Sequence, residues 1–274
     1  MTKLKLALCQ MNVIDDKEEN LKKASSMITS ASKEADFIVL PEMFNCPYSN
    51  DKFIEYCEEE NDSITLNTIS KLAGINEVYI LAGSIPEKED NKLFNTSYLF
   101  NKDGKIIAKH RKMHLFDIDV KDKITFKESD VLTAGNNFTI AETEFGKIGI
   151  GICYDVRFPE LARIMVENGA LILFYPGAFN MTTGPAHWEL LFRSRALDNQ
   201  VYCIGVAPAL NETASYHSFG HSIITNPWGE IIAEADLEEE IIFSEIDLKE
   251  IKKVREELPL LKNKRKDLYG VIQR

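Results

Sequence analysis

Cys153 ends an alternating apolar strand in the run GKIGIGICYDVRFPELARIM, the placement that presents a nucleophile. A side chain on a sharp strand-to-helix turn stands at the C-terminal edge of a sheet. Pro159 suits the first turn of a following helix, whose positive end would face back toward the sulfur. Such a field matters because a free thiol, with a pKa of about 8.5, is mostly protonated at neutral pH. A buried structural cysteine would have the same local sequence, so Cys153 needs partners before it implies chemistry.

A thiol attacking an amide needs a base for its proton, a cation or N–H donors for the oxyanion, and an acid for the leaving nitrogen. Glu42 follows the apolar run DFIVLP and would fill both proton roles if burial raises its pKa toward neutrality. Lys112, in KHRKMH, would hold the oxyanion and favour the thiolate. Taken singly, Glu42 reads equally as a helix-start acid and Lys112 as a solvated lysine. Histidine is the usual alternative base, and His110, His114, His187, His217 and His221 leave a Cys-His arrangement open. No HExxH or paired Cys/His spacing points to a metal, and no GxxxxGK or GxGxxG to a nucleotide cofactor.

The elements that must position these groups alternate along the chain. Strands are predicted at Leu4–Cys9, Asp36–Leu40, Val78–Ala82, Thr96–Phe100, Lys105–Ala108, Lys147–Ile152, Ala170–Tyr175, Val201–Ala207, Ser222–Thr225, Glu230–Ala235 and Ile241–Ile246. Helices are predicted over Glu18–Ser32, Ser63–Ala73, Pro159 to about Asn168, Ala186–Asn199 and Leu248–Glu256, with Gly169 as a C-terminal cap. The stretch from His110 to Asn136 reads as irregular. Alternating strands and helices predict a layered α/β fold, and the hairpins at Asn101–Gly104 and Asn226–Gly229 argue against a purely parallel sheet. Strands that end in reactive residues gather them on one edge, and Glu42, Cys153 and Gly177-Ala178 all follow strands.

With 274 residues and 45% hydrophobic content, the chain is expected to form one domain over 1–274, its basic C-terminal tail covering 261–274. A net charge of -11 argues against a nucleic-acid-binding surface. The cysteines at 9, 46, 57, 153 and 203 form no CxxC pair, which disfavours a disulfide framework or a zinc ribbon. The N-terminal run is too short and polar for a signal segment, and no apolar stretch of about 18 residues appears, so a cytoplasmic protein without membrane association is expected.

Three separated segments, LPEMF at 40–44, KHRKMHLFD at 109–117 and GICYDVRFPE at 151–160, resemble the nitrilase superfamily of carbon-nitrogen hydrolases. The resemblance runs from Leu4 to Tyr269 and implies a four-layer αββα sandwich, a Glu-Lys-Cys triad at Glu42, Lys112 and Cys153, and an additional active-site glutamate at Glu128 in ITFKES. It also implies a homodimer, with no cofactor. Within the superfamily, KMHLFDIDVKDKITFKES, YPGAFNMTTGPAHWELLFRSRALDNQVY and KRKDLYGV are similar to the omega-amidase branch, which implies hydrolysis of a 2-oxo acid amide, 2-oxoglutaramate or 2-oxosuccinamate. The sister branch of deaminated-glutathione amidases shares parts of these segments and is the alternative. Nitrilases proper carry a CWE-type motif where this chain has CYD, and Lys121 stands where related sequences have Pro.

A 2-oxo acid amide carries a carboxylate, which calls for a guanidinium in a largely apolar pocket. Arg157 is the first candidate because carbamoylases place a carboxylate-binding Arg similarly; its structural alternative is an ion pair with Asp155 or Glu160. Tyr48, Phe116, Phe179 and Thr183 are the remaining pocket candidates, and the Tyr154 N–H is a candidate oxyanion donor. His187, Trp188, Arg195 and Asn199 read as supporting scaffold.

Overall fold

The computed structural model describes residues 3–272. β1 (Lys3–Gln10), α1 (Lys17–Ala31) and β2 (Phe37–Val39) lead to α2 (Asn50–Tyr56) and α3 (Ile64–Asn76). β3 (Tyr79–Glu89), β4 (Lys92–Phe100), β5 (Ile106–Arg111), β6 (Asp117–Val120), β7 (Ile124–Lys127), β8 (Thr139–Thr143) and β9 (Gly146–Ile150) then follow in succession. Alternation resumes with α4 (Pro159–Glu167), β10 (Ile172–Pro176), α5 (Gly184–Asn199) and β11 (Tyr202–Val206). The last elements are β12 (Ile223–Thr225), β13 (Ile231–Glu234), β14 (Glu240–Asp247), α6 (Lys249–Glu257) and α7 (Leu260–Asn263).

The strands form two six-stranded sheets, ordered β14-β1-β2-β3-β4-β5 and β13-β12-β11-β10-β9-β8. Both are mixed, as the hairpins require: β1, β2 and β3 are mutually parallel, as are β9, β10 and β11, with antiparallel strands outside them. The period-2 pattern of β1 shows how the layers stack. Leu4, Leu6 and Leu8 point between the sheets, against Ile148, Ile150, Ile172 and Phe174 of the second sheet. Ala7 and Cys9 point the other way, onto α1 and α3 through Leu21, Ala24, Ile28, Ile69 and Ala73. A third apolar layer joins Leu173, Tyr175 and Cys203 to α4 and α5 through Leu161, Met165, Trp188 and Phe192. The result is the expected αββα sandwich. Each fully buried leucine of β1 contributes roughly 1.5–3 kcal/mol to holding the two sheets together.

Local chemistry sets the ends of the elements. Asp16 caps α1 by accepting the N–H of Glu19, Pro159 opens α4, and Gly169 follows α4 at φ 102°, in the left-handed region. The predicted irregular stretch from 110 to 136 is corrected by the structure. It holds the β6–β7 hairpin, paired from Asp117↔Lys127 to Val120↔Ile124, and a single 3-10 turn at Glu128–Asp130. Asp122 takes φ 59° in the turn, a conformation that Asp tolerates, and Lys121 is accommodated beside it. α2 and β8 are further elements that sequence patterning did not anticipate. Among the described residues no helix is long and apolar enough to cross a membrane.

Candidate active site

Both sheets deliver reactive groups at the C-terminal ends of parallel strands. In the first sheet, β2 and β3 run parallel and β5 is restored to the same sense by two antiparallel pairings, so Glu42 just beyond β2 and Lys112 directly after β5 share one edge. In the second, Cys153 follows β9 and Ala178 follows β10. Glu128 enters from the β6–β7 hairpin.

Lys112 is wholly buried between two wholly buried carboxylates. Its Nζ donates to Glu42 Oε1 at 3.0 Å and to Glu128 Oε1 at 2.8 Å, and lies 3.4 Å from Tyr48 Oη. Glu128 is fixed by the Tyr48 hydroxyl at 2.6 Å on Oε1 and by the Phe116 N–H at 2.6 Å on Oε2. Glu42 accepts from Asn95 Nδ2 at 2.8 Å on Oε1 and from the Ala178 N–H at 2.7 Å on Oε2, and it is close enough to the Cys153 thiol for each to shift the other's proton affinity. Predicted residues Glu42, Lys112, Glu128, Cys153 and Tyr48 therefore converge on one buried cluster.

One ammonium faces two carboxylates and a thiol here, and that imbalance sets the protonation. Burial raises the pKa of Glu42 above its ordinary value, and the charge of Glu128 adds to this against the opposing pull of Lys112. Burial alone would lower Lys112, but Glu128 and Glu42 hold it well above the usual lysine value. The thiol of Cys153 is also pushed well up, by burial and then by Glu42, with Lys112 opposing. This corrects the expectation that Lys112 and a helix end would favour a standing thiolate. Cys153–Arg157 is a 3-10 turn and α4 begins only at Pro159, so the helix start is displaced from the sulfur. The cysteine itself sits at φ 46°, the sharp turn of a nucleophile elbow. Gly177 makes room for that turn: a Cβ there would stand 3.1 Å from Cys153 Cα.

Arg157 forms neither of the ion pairs considered for it. Asp155 is occupied by His110, His114 and the Ile152 N–H, and among the described residues Arg157 has no carboxylate partner. Its guanidinium lies over Phe179 at 4.6 Å and over Tyr154 at 5.5 Å, and its Nη1 is 3.1 Å from His187 Nδ1. A guanidinium cannot accept, so His187 Nδ1 does, and His187 is a direct neighbour of the charge rather than remote scaffold. Burial lowers the Arg157 pKa, the mark of a cation without a counter-charge. Tyr154 meets Phe116 edge-on at 5.3 Å, so Arg157, Phe179, Tyr154 and Phe116 form one aromatic-lined patch beside Cys153. Thr183 instead donates to Asn180 Oδ1 at 3.3 Å, in the turn that opens α5. A cavity of about 360 Å³ touches the cluster at Glu42 and Tyr48 and is also lined by Tyr216, but not by Cys153, Lys112, Arg157, Tyr154, Phe116, Phe179 or Thr183.

Sequence reasoning missed Asn95, Tyr216 and Asp155. Asn95 carried a signal, since asparagine is unfavourable inside a strand and must there be satisfied by something specific. Tyr216 donates its hydroxyl to the Ala178 carbonyl and sets its ring 4.6 Å from that of Tyr48, tilted by 33°, from a loop whose position no local pattern reveals.

A strand-end carboxylate, a lysine and a cysteine thus meet across the two sheets, an arrangement chemically able to support hydrolysis through a thiol nucleophile. The chain belongs to the carbon-nitrogen hydrolase family, whose model matches residues 5–256. It is 49% identical to the omega-amidase NIT2 of Bos taurus over 272 residues, covering 99% of this chain and 98% of that protein. It is 48% identical to the omega-amidase NIT2 of Homo sapiens with the same coverage. The crystal structure of Saccharomyces cerevisiae Nit3, a member of branch 10 of the nitrilase superfamily, superposes with a TM-score of 0.89 at 44% identity, covering 96% of this chain and 97% of that one. The Caenorhabditis elegans NitFhit protein gives 0.90 at 32% identity, covering 99% of this chain and 67% of that one.

Proposed function

We propose that this chain is an omega-amidase that hydrolyses the terminal amide of 2-oxoglutaramate, and of 2-oxosuccinamate, to the dicarboxylate and ammonia. The observation that carries the reading is Lys112 locked between Glu42 and Glu128, with Cys153 at the facing strand end, in a chain about half identical to omega-amidases over its whole length. Glu42 takes the Sγ proton as the sulfur attacks the amide carbon, and the carbonyl pair moves onto oxygen, where Lys112 and the Tyr154 N–H meet the oxyanion. Collapse breaks the C–N bond, and Glu42 returns the proton to the departing nitrogen, releasing ammonia. Glu42 next deprotonates a water that attacks the thioester; the C–S bond breaks and the proton goes back to sulfur. Glu128 holds the Lys112 ammonium in place throughout. Arg157, without a carboxylate partner among the described residues, binds the substrate carboxylate against Phe179, Tyr154 and Phe116. The protein is a single-domain cytoplasmic homodimer, paired through the α5 face where Leu190, 64% exposed, lies near the half-exposed Trp228.

Ammonia release from 2-oxoglutaramate, deaminated glutathione and glutamine tests this reading. Wild type is expected to favour 2-oxoglutaramate, Cys153→Ala to lose on the order of 10⁴-fold in kcat, and Arg157→Ala to raise KM with little change in kcat. Preference for deaminated glutathione would move the substrate to the sister class. Full turnover by Cys153→Ala would overturn the mechanism.

A further inference from the structure

Asp155 is wholly buried, takes no part in the proton path, and is bound by residues from the other half of the site. It lies two residues beyond the nucleophile. Its Oδ2 accepts the Ile152 N–H at 2.9 Å and faces His110 Nε2 at 3.1 Å. Its Oδ1 accepts the backbone N–H of His114 at 3.0 Å and faces His114 Nδ1 at 2.7 Å. His110 and His114 flank Lys112 at equal spacing on either side. Burial alone would raise the Asp155 pKa, yet the two histidines hold it well below the usual carboxylate range. An ionised carboxylate only accepts, so both facing ring nitrogens carry hydrogens.

Each imidazole has a second contact. His110 Nδ1 is 3.0 Å from Thr139 Oγ1, and the His114 ring stacks on Phe158 with centroids 3.6 Å apart. One carboxylate on the Cys153 turn of the second sheet thus grips both sides of the Lys112 segment of the first. We propose that Asp155, His110 and His114 form a tether that sets the spacing between the Cys153 sulfur and the Lys112 ammonium. These are positioning residues, and the inference rests on the roles assigned above to Cys153 and Lys112. Reacting groups tolerate little misplacement, of the order of 1 Å before rates fall by about 10²-fold, which is why such a tether matters to rate.

Two substitutions at the half-buried His114 separate tethering from packing. His114→Phe keeps a ring on Phe158 and removes the Nδ1 donor, whereas His114→Asn places an amide nitrogen near the Nδ1 position. Kinetics on 2-oxoglutaramate would be combined with peptide-resolved alkylation by iodoacetamide, using the half-exposed Cys57 as internal reference. His114→Phe is expected to lower kcat about tenfold with KM within about twofold, and to slow alkylation of Cys153 relative to Cys57. His114→Asn is expected to recover most of both, and Asp155→Asn to lose more than His114→Phe. Wild-type kcat and alkylation in His114→Phe, or equal losses in both His114 variants, would overturn the tether. Should wild type fail on 2-oxoglutaramate, the substrate assignment falls, while the alkylation comparison still judges the tether.

Discussion

The proton of Cys153 is held in place by what surrounds it. Burial and two carboxylates outweigh the single ammonium of Lys112, so the resting group is a thiol, and in the proposed scheme its proton moves to Glu42 as the sulfur attacks. The sign for Glu42 follows from its raised pKa. The base form is present above that value, so kcat/KM is expected to fall with decreasing pH at an acid limb displaced above the ordinary glutamate pKa of about 4.3. The charge of Glu128 contributes to the displacement, so in Glu128→Gln the limb is expected to move to lower pH, alongside a lower maximum rate; a pH–rate profile of both proteins checks it. The residue types were legible in sequence because strand ends and the chemistry of an amide-attacking thiol marked Glu42, Lys112 and Cys153, while Glu128 was reached only through the family resemblance. The direction of the thiol shift was not, because local sequence shows one lysine near one cysteine and hides how many carboxylates the fold brings in. The lack of a carboxylate partner for Arg157 among the described residues was hidden for the same reason, since Asp155 looked available until two distant histidines claimed it.

At the scale of elements, long amphipathic helices and alternating strands were readable, and α1, α4 and α5 fall close to their expected bounds. The β6–β7 hairpin was not. Its strands are four residues each, none of them buried, β6 is acidic at alternate positions, and among the described residues they pair only with each other, so no buried strand pattern marks them. Yet this hairpin carries Glu128 into the cluster. The strand-to-turn junctions are the most sterically constrained parts of the site. Gly177→Ala would set a methyl 3.1 Å from Cys153 Cα and 3.4 Å from Trp188, with backbone on one side and a packed ring on the other. We expect about a tenfold loss of kcat and a destabilisation of about 1–3 kcal/mol, read by steady-state kinetics and thermal melting. Wild-type kcat with a lowered melting temperature would assign Gly177 to packing alone.

For the molecule as a whole, apolar layering decides the architecture. The buried strands of both sheets and the helices on each outer face were enough to predict the layers, whereas the strand order depends on long-range pairings such as β1 with β14 that no window of sequence contains. The same layering divides the chemistry. Glu42 and Lys112 belong to one sheet, Cys153 and the Ala178 N–H to the other, and the leucine-rich layer between them is what keeps the sets together. Neither sheet is a catalyst by itself. Turnover therefore doubles as a gauge of whether the two halves are docked, and along a urea titration ammonia release is expected to fade before the far-UV circular dichroism does, each slab keeping its backbone hydrogen bonds after the sulfur has drifted from its base.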